Sequence, residues 1–345
     1  MPNRGKWSKY YDLPEIQKIR ETILETYTNK LIFLEEPHEY YLDGVQYMCV
    51  SDVTHKYKPI TGEQMAENCV KKWQKDQDPS YKYYGLTKEE ILALWAVKSG
   101  RACDFGTEVH AFGESMFYYM IGESEKILPE CAEKFRDGFP HPTNPHEEAI
   151  VKFWDDLPEN YVPVLAETKV FNRNGTPYAG TFDILFYYVD EENPSKNGLI
   201  IFDYKTNEDI YKNYKQQKLL WPFNDLLDMS ESLYTLQLGC YQIPLENLGY
   251  EIVARRLIWV QPDGSYKNIR IKDIANRIRE ALDIPSAETI IKEAENKAAD
   301  MIINAKNQAT EILAKQEVAK QQYEIYKTKV KTVIEEHLNI LNNEL

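Results

Sequence analysis

The sequence has no run approaching the roughly 20 apolar residues needed to cross a bilayer. Its polar opening, MPNRGKWSKYYD, lacks the apolar segment of a secretory signal. These absences predict a cytoplasmic protein with no membrane partner. The five cysteines, Cys49, Cys69, Cys103, Cys131 and Cys240, never form a CxxC pair and are odd in number, which predicts reduced thiols rather than a disulfide framework. No four-cysteine set occurs late in the chain, so no iron–sulfur cluster is expected. Positive charge is also scarce: 41 basic against 55 acidic residues leave a net charge of −14. That balance opposes diffuse nucleic-acid binding but permits a local basic groove. Lys212, Lys215 and Lys218, and later Arg255, Arg256, Lys267, Arg270 and Lys272, are candidates for one.

What is present is a globular composition, 43% hydrophobic and 12% aromatic over 345 residues, enough for a sizeable core. A polar helix is expected over about 13–29, then strand pieces KLIFLEE and EYYLDGVQYMCVS around an Asp43-Gly44 turn. Residues 62–125 read as helical, and a Pro-rich break precedes a short helix near 147–156. From Val162 the period changes to three strands, VPVLAETKVFN, AGTFDILFYYV and GLIIFDYKT, the last apolar throughout and therefore central. A helix containing LYTLQLGCYQIPLENLG and a strand ARRLIWVQPDG follow. The fold class expected is α/β (α+β), a central mixed sheet flanked by helices. The expected divisions are a mainly helical part over 1–160, a core over 161–283 and a long helix over 286–345.

Residues 286–341 contain neither glycine nor proline, and Ile291, Ile302 and Leu313 recur every eleven residues. Such spacing suits a nearly straight or slightly right-handed coiled coil and predicts homo-oligomerisation through this segment, or else a single extended or packed-back helix.

Strand geometry places chemistry at one point. Asp183 lies in Thr181-Phe182-Asp183-Ile184, and Asp203 and Lys205 in Ile201-Phe202-Asp203-Tyr204-Lys205. Alternation puts Asp203 and Lys205 on one strand face and Tyr204 on the other. A carboxylate in so apolar a strand is costly unless it is paired or binds metal. Acids at strand ends with a nearby amine suit hydrolysis of a phosphodiester, where Mg²⁺ activates water and neutralises charge. The lysine would orient or deprotonate the water, or neutralise the phosphate.

Five segments in order resemble the PD-(D/E)XK nuclease superfamily, in its RecB-like branch of lambda-type phage and mitochondrial genome maintenance exonucleases. Gly106-Thr107-Glu108-Val109-His110 resembles the GTxxH helix motif, Glu167 in LAETKVF the acid of the first core strand, and Gly180-Thr181-Phe182-Asp183 the GxxD motif. Asp203-Tyr204-Lys205-Thr206 resembles (D/E)xKT, and Gln237-Leu238-Gly239-Cys240-Tyr241 resembles QxxxY. The likeness spans residues 35–275, including EYYLDGVQYMCVSDVT and Trp221-Pro222-Phe223; Asp52 interrupts the usual Ser-Val-Thr.

The resemblance implies a restriction-endonuclease-like core and an Mg²⁺-dependent deoxyribonuclease, with Mn²⁺ able to substitute. It implies catalytic Asp183, Asp203 and Lys205, metal ligation by His110, Asp183, Asp203 and also Glu167, and support or DNA contact from Gln237, Tyr241, Thr206 and Tyr204. DNA is the implied partner, in phage-type recombination, replication or repair, with a recombination or annealing protein as a further partner. The alternatives are a non-catalytic DNA-binding scaffold on a nuclease-like core, or a site-specific endonuclease, for which no DNA-reading motif is visible.

Overall fold

The computed structural model describes residues 6–343, so the first five residues of the expected N-terminal part and the last two of the tail lie outside it. The chain divides into two compact units, one running to Pro285 and the other from Ser286 onward. The boundary expected near residue 160 is not a unit boundary, because the N-terminal strands join the same sheet as those that follow.

Helix α1 (Pro14–Thr26) starts on Pro14, whose fixed φ suits a first helical position, and buries Ile16, Ile19 and Ile23 on one stripe. Strands β1 (Leu31–Leu34), β2 (Glu39–Leu42) and β3 (Val45–Cys49) form an antiparallel meander. Asp43 and Gly44, at φ 52° and 78°, make the tight turn between β2 and β3, as their sequence signal predicts. After the short α2 (Val50–His55), the stretch expected to be helical is two helices. They are α3 (Gly62–Asp76) and α4 (Lys88–Ile121), each opened by a capping box, Thr61 with Gln64 and Thr87 with Glu90. Gly122, at φ 79°, ends α4 in the left-handed conformation that glycine adopts without penalty. Helix α5 (Pro145–Asp156) is capped by the Asn144 side chain.

Strands β4 (Tyr161–Asn172), β5 (Tyr178–Tyr188), β6 (Gly198–Lys205), β7 (Ile252–Val260) and β8 (Tyr266–Arg270) complete a mixed sheet of eight strands among the described residues. β4 lies along one side of β5 for most of its length. The other side of β5 is shared: parallel β3 pairs with Tyr178 and Ala179, and antiparallel β6 pairs only with residues from Ile184 onward. Between them that edge of β5 has no strand partner, and the sheet forks. β6 is central and buried along its length except at Lys205, as its apolar sequence predicts. Helix α6 (Ser230–Asn247) makes the crossover to parallel β7, and α7 (Ala275–Ala281) packs against it.

Two glycines and one proline set how closely these layers meet. Pro244 sits inside α6 and cannot donate to the carbonyl of Cys240 four residues back, and the buried Tyr178 hydroxyl donates to that carbonyl instead, at 2.9 Å. A Cβ on Gly113 of α4 would fall 2.6 Å from the Tyr204 ring. One on Gly180 of β5 would fall 2.8 Å from Tyr241 Cε1 and 2.9 Å from Val50 Cγ2.

The second unit is a single helix, α8 (Ala287–Asn343), as expected from the missing glycine and proline. Ile302, Ile312, Leu313, Tyr326 and Val333 along it are all more than half or about half exposed. No helix among the described residues is long and apolar enough to cross a membrane.

The close approach at Gly180 gives a stability prediction. Gly180→Ala must displace Tyr241 or Val50, and overpacking of this kind costs about 1–3 kcal/mol. Urea unfolding should show a lower midpoint at unchanged slope, and an unchanged midpoint would mean that α6 moves away freely.

Candidate metal centre at the sheet fork

The site is built where β5 and β6 part. Their last pair toward this end is Ile184 with Phe202, so Asp183 and Asp203 are the first residues beyond the ladder, while β6 stays paired with β7 as far as Lys205. Parting leaves the Tyr204 N–H without a strand acceptor. The Asp183 side chain accepts it through Oδ2 at 2.6 Å.

Across the other edge of β5, Ala166 pairs with Ile184 and Thr168 with Phe182, which sets Glu167 opposite Asp183. Like charges opposite one another in a sheet repel. Glu167 also holds φ 41°, a left-handed backbone in mid-strand that costs a non-glycine residue about 1–3 kcal/mol. Two unfavourable features thus coincide at one residue, and both bring its carboxylate to the same place.

His110 arrives from α4. Its Nδ1 is 3.3 Å from Asp183 Oδ2 and 3.9 Å from Glu167 Oε1. One ligand atom from each of His110, Glu167 and Asp183 lies within 4.8 Å of the others, a grouping that could hold a metal ion. Gly106 and Thr107 lie in the middle of α4, which begins at Lys88, and Thr107 donates its hydroxyl to the Cys103 carbonyl. α4 passes close to the loop after β6 here, and a Cβ at Gly106 would lie in ordinary contact, 3.7 Å from Thr206 Oγ1. His110 therefore owes its position to α4 crossing the fork, and a helix N-terminus contributes nothing.

Asp203 is buried beside this group and forms an ion pair with Lys205 on the same strand face, as alternation predicts. Neither Asp203 oxygen has a hydrogen bond of good geometry. The Lys205 ammonium lies 4.5 Å over the Tyr234 ring, whose hydroxyl donates to the Asn207 side chain. Tyr234 escaped the sequence reading, although a signal existed: Tyr234, Gln237 and Tyr241 lie on one stripe of α6 at helical spacing.

Burial and charge shift every group in the cluster. Burial pushes Glu167 up to about 7, against the His110 hydrogen bond and with the Asp183 charge. Burial and the Asp183 charge push Asp203 up to about 6 despite Lys205. Burial would raise Asp183 too, but His110, Lys205 and the Tyr204 N–H hold it below its ordinary value. Burial acts against the His110 imidazolium, yet Asp183 and Glu167 prevail and hold it at about 10. Lys205 also ends above its ordinary value, since Asp203 and Asp183 outweigh its burial.

Tyr204 and Tyr241, two further expected residues, are buried and hydrogen-bonded. Tyr204 is buried on the opposite strand face and accepts a hydrogen bond from Trp154 Nε1 at 3.0 Å. Tyr241 is buried and its hydroxyl accepts from Gln237 Nε2 at 2.9 Å, so the expectation of a DNA contact does not extend to its ring. Among the expected basic residues, Arg255 is buried and bound to Asp273 and Gln242, a structural role, whereas Lys212, Lys215 and Lys218 are exposed.

An eight-stranded mixed sheet flanked by helices, with an acidic cluster at its fork, is the class that fold and site define. No protein-family model matches the chain, and no curated protein matches it.

Three carboxylates face the two cations His110 and Lys205, which leaves room for a divalent ion; the imidazolium proton must leave before Nδ1 can ligate. Mn²⁺ binding at pH 7.5 should therefore release at least about one proton and strengthen as pH rises. Calorimetry in two buffers of different ionisation enthalpy reads this directly, and binding without proton release would remove His110 from the ligand set.

Proposed function

We propose that this protein is a divalent-metal-dependent DNA nuclease with a restriction-endonuclease-like core, an exonuclease serving phage-type recombination, replication or repair. One observation carries the proposal: the five residues singled out by motif order, His110, Glu167, Asp183, Asp203 and Lys205, come together at the fork although they are spread over almost a hundred positions of sequence.

The residues fit a hard cation, because Asp203 offers two buried oxygens without good hydrogen bonds and the Glu167–Asp183 repulsion calls for positive charge. His110, Glu167 and Asp183 would hold the ion, with Asp203 alongside. A divalent ion there supplies charge neutralisation and an acidified water. Lys205 keeps its proton, so of its possible roles the structure favours neutralising the scissile phosphate over taking a proton from water. Tyr234 beneath the ammonium fixes its direction without competing for its protons. Asp183 holds the Tyr204 N–H and thereby locks β6 in the orientation that presents Asp203 and Lys205.

We also propose that α8 joins copies of the chain. Ile291, Ala298, Ala305, Ile312, Ala319, Tyr326 and Val333 recur every seven residues, while the eleven-residue series stops at Glu324. A seven-residue repeat drives left-handed supercoiling, the opposite hand to that expected from the shorter series.

Two experiments test these proposals. Asp203→Asn should lower cleavage of linear duplex DNA by at least about a hundredfold. Lys205→Ala should do the same while Mn²⁺ still binds. Wild-type cleavage that persists in EDTA, or full activity in Asp203→Asn, would refute the nuclease reading. Truncation after Pro285 should lower the mass in light scattering to that of a monomer with cleavage retained. A full-length chain that is already monomeric removes the assembly claim.

A further inference from the structure

The segment between β6 and α6 carries three large rings that stand about half or more in solvent. Tyr211 is 48% exposed, Tyr214 68% and Trp221 79%, and Lys212, Lys215 and Lys218 lie between the first and last of them, all exposed. The segment is nevertheless fixed. Asn213 Nδ2 donates to the carbonyls of Gln217 and Asp228, both at 2.9 Å, and Lys218 bridges to Leu227. Leu219 and Phe223 are buried on either side of Trp221, and the Leu220 N–H donates to the Tyr57 carbonyl at 2.7 Å. Lys215 and Gln216 are both held at left-handed φ, 54° and 57°, a conformation that surrounding structure must enforce on such residues. A fixed loop that holds aromatic rings in water forgoes burial of those rings and places lysines between them.

This ledge is continuous with the metal centre. The Tyr211 ring lies 5.8 Å from that of Trp259, and Trp259 pairs with Lys205 across β6 and β7. Trp259 Nε1 donates to the Asn207 carbonyl at 2.7 Å, and the Asn207 side chain accepts from Tyr234, the ring beneath Lys205.

We propose that Tyr211, Tyr214 and Trp221, with Lys212, Lys215 and Lys218, form a stacking platform for unpaired nucleotides that guides a single strand to the fork. The chemistry is specific. Aromatic faces accept any base once it is unstacked from a duplex, and interleaved ammonium groups meet the phosphates at the backbone repeat. In a paired duplex the base faces are hidden, so these rings would have nothing to stack on. A protein docking on the same rings would not make binding of a strand depend on whether that strand carries bases. The proposal rests on the nuclease reading for its purpose, though not for its test.

The test is binding by the full-length protein, in EDTA and in Ca²⁺, of labelled oligo(dT) against an abasic strand of the same length, followed by fluorescence anisotropy. Wild type should prefer the strand that carries bases. Stacking is worth about 5-fold to 150-fold in affinity per base. The variant combining Tyr211→Ala, Tyr214→Ala and Trp221→Ala should lose the preference, and all three positions are exposed enough to leave folding intact. Trp221→Phe should keep most of the binding and Trp221→Leu should not. Replacing the three lysines by Gln should reduce the slope of log affinity against log salt by about 2, at about 0.7 per phosphate contact on a single strand. No base preference in wild type, an unchanged preference in the triple-Ala variant, or Leu equalling Phe at Trp221 would overturn the platform. If wild type cleaves DNA while the preference is absent, the platform alone fails. If the preference holds and is lost with the rings, but no divalent ion supports cleavage, the platform stands and the catalytic reading fails.

Discussion

The site depends on the repulsion among Glu167, Asp183 and Asp203, three carboxylates gathered at the fork, two of them buried and Glu167 about 30% exposed. Left to themselves they would separate or protonate. The scaffold prevents separation by fixing each on a different strand around the fork: Glu167 on β4, Asp183 on β5 and Asp203 on β6. His110 and Lys205 offset part of the charge. What remains is an acidic opening in which His110, Glu167 and Asp183 could hold a metal ion.

The fork is a consequence of topology. β5 cannot pair along its whole edge because β3 takes one end and β6 the other. The gap frees backbone groups that a continuous ladder would consume, and Asp183 uses one of them, the Tyr204 N–H, to hold its carboxylate in place. The helices around it are admitted by absent side chains. Gly113 makes room for Tyr204 and Gly180 for Tyr241, so two residues with no side-chain chemistry set the distance between the sheet and the helices that carry His110 and Gln237.

Electrostatics at large and at the site point in opposite directions. The chain is strongly acidic. Three exposed lysines, Lys212, Lys215 and Lys218, nonetheless lie on the loop that follows Lys205, whose Tyr211 packs against Trp259. Net charge does not reveal that these lysines stand beside an acidic cluster.

Local sequence determined the elements: the alternation that puts Asp203 and Lys205 on one face, the apolar run that makes β6 central, the Asp43-Gly44 turn, and the uninterrupted α8. Each depends on neighbours a few residues apart, where backbone sterics and side-chain period suffice. The order of motifs also named the five residues of the centre. Tertiary structure alone decided how they meet. It made His110 a mid-helix residue brought in by the crossing of α4, gave Glu167 its left-handed backbone opposite Asp183, turned Arg255 into a buried partner of Asp273, and placed Tyr234 under Lys205. These features depend on which strand lies beside which and how closely a helix can approach, and those distances are set by the packing of residues far apart in the chain.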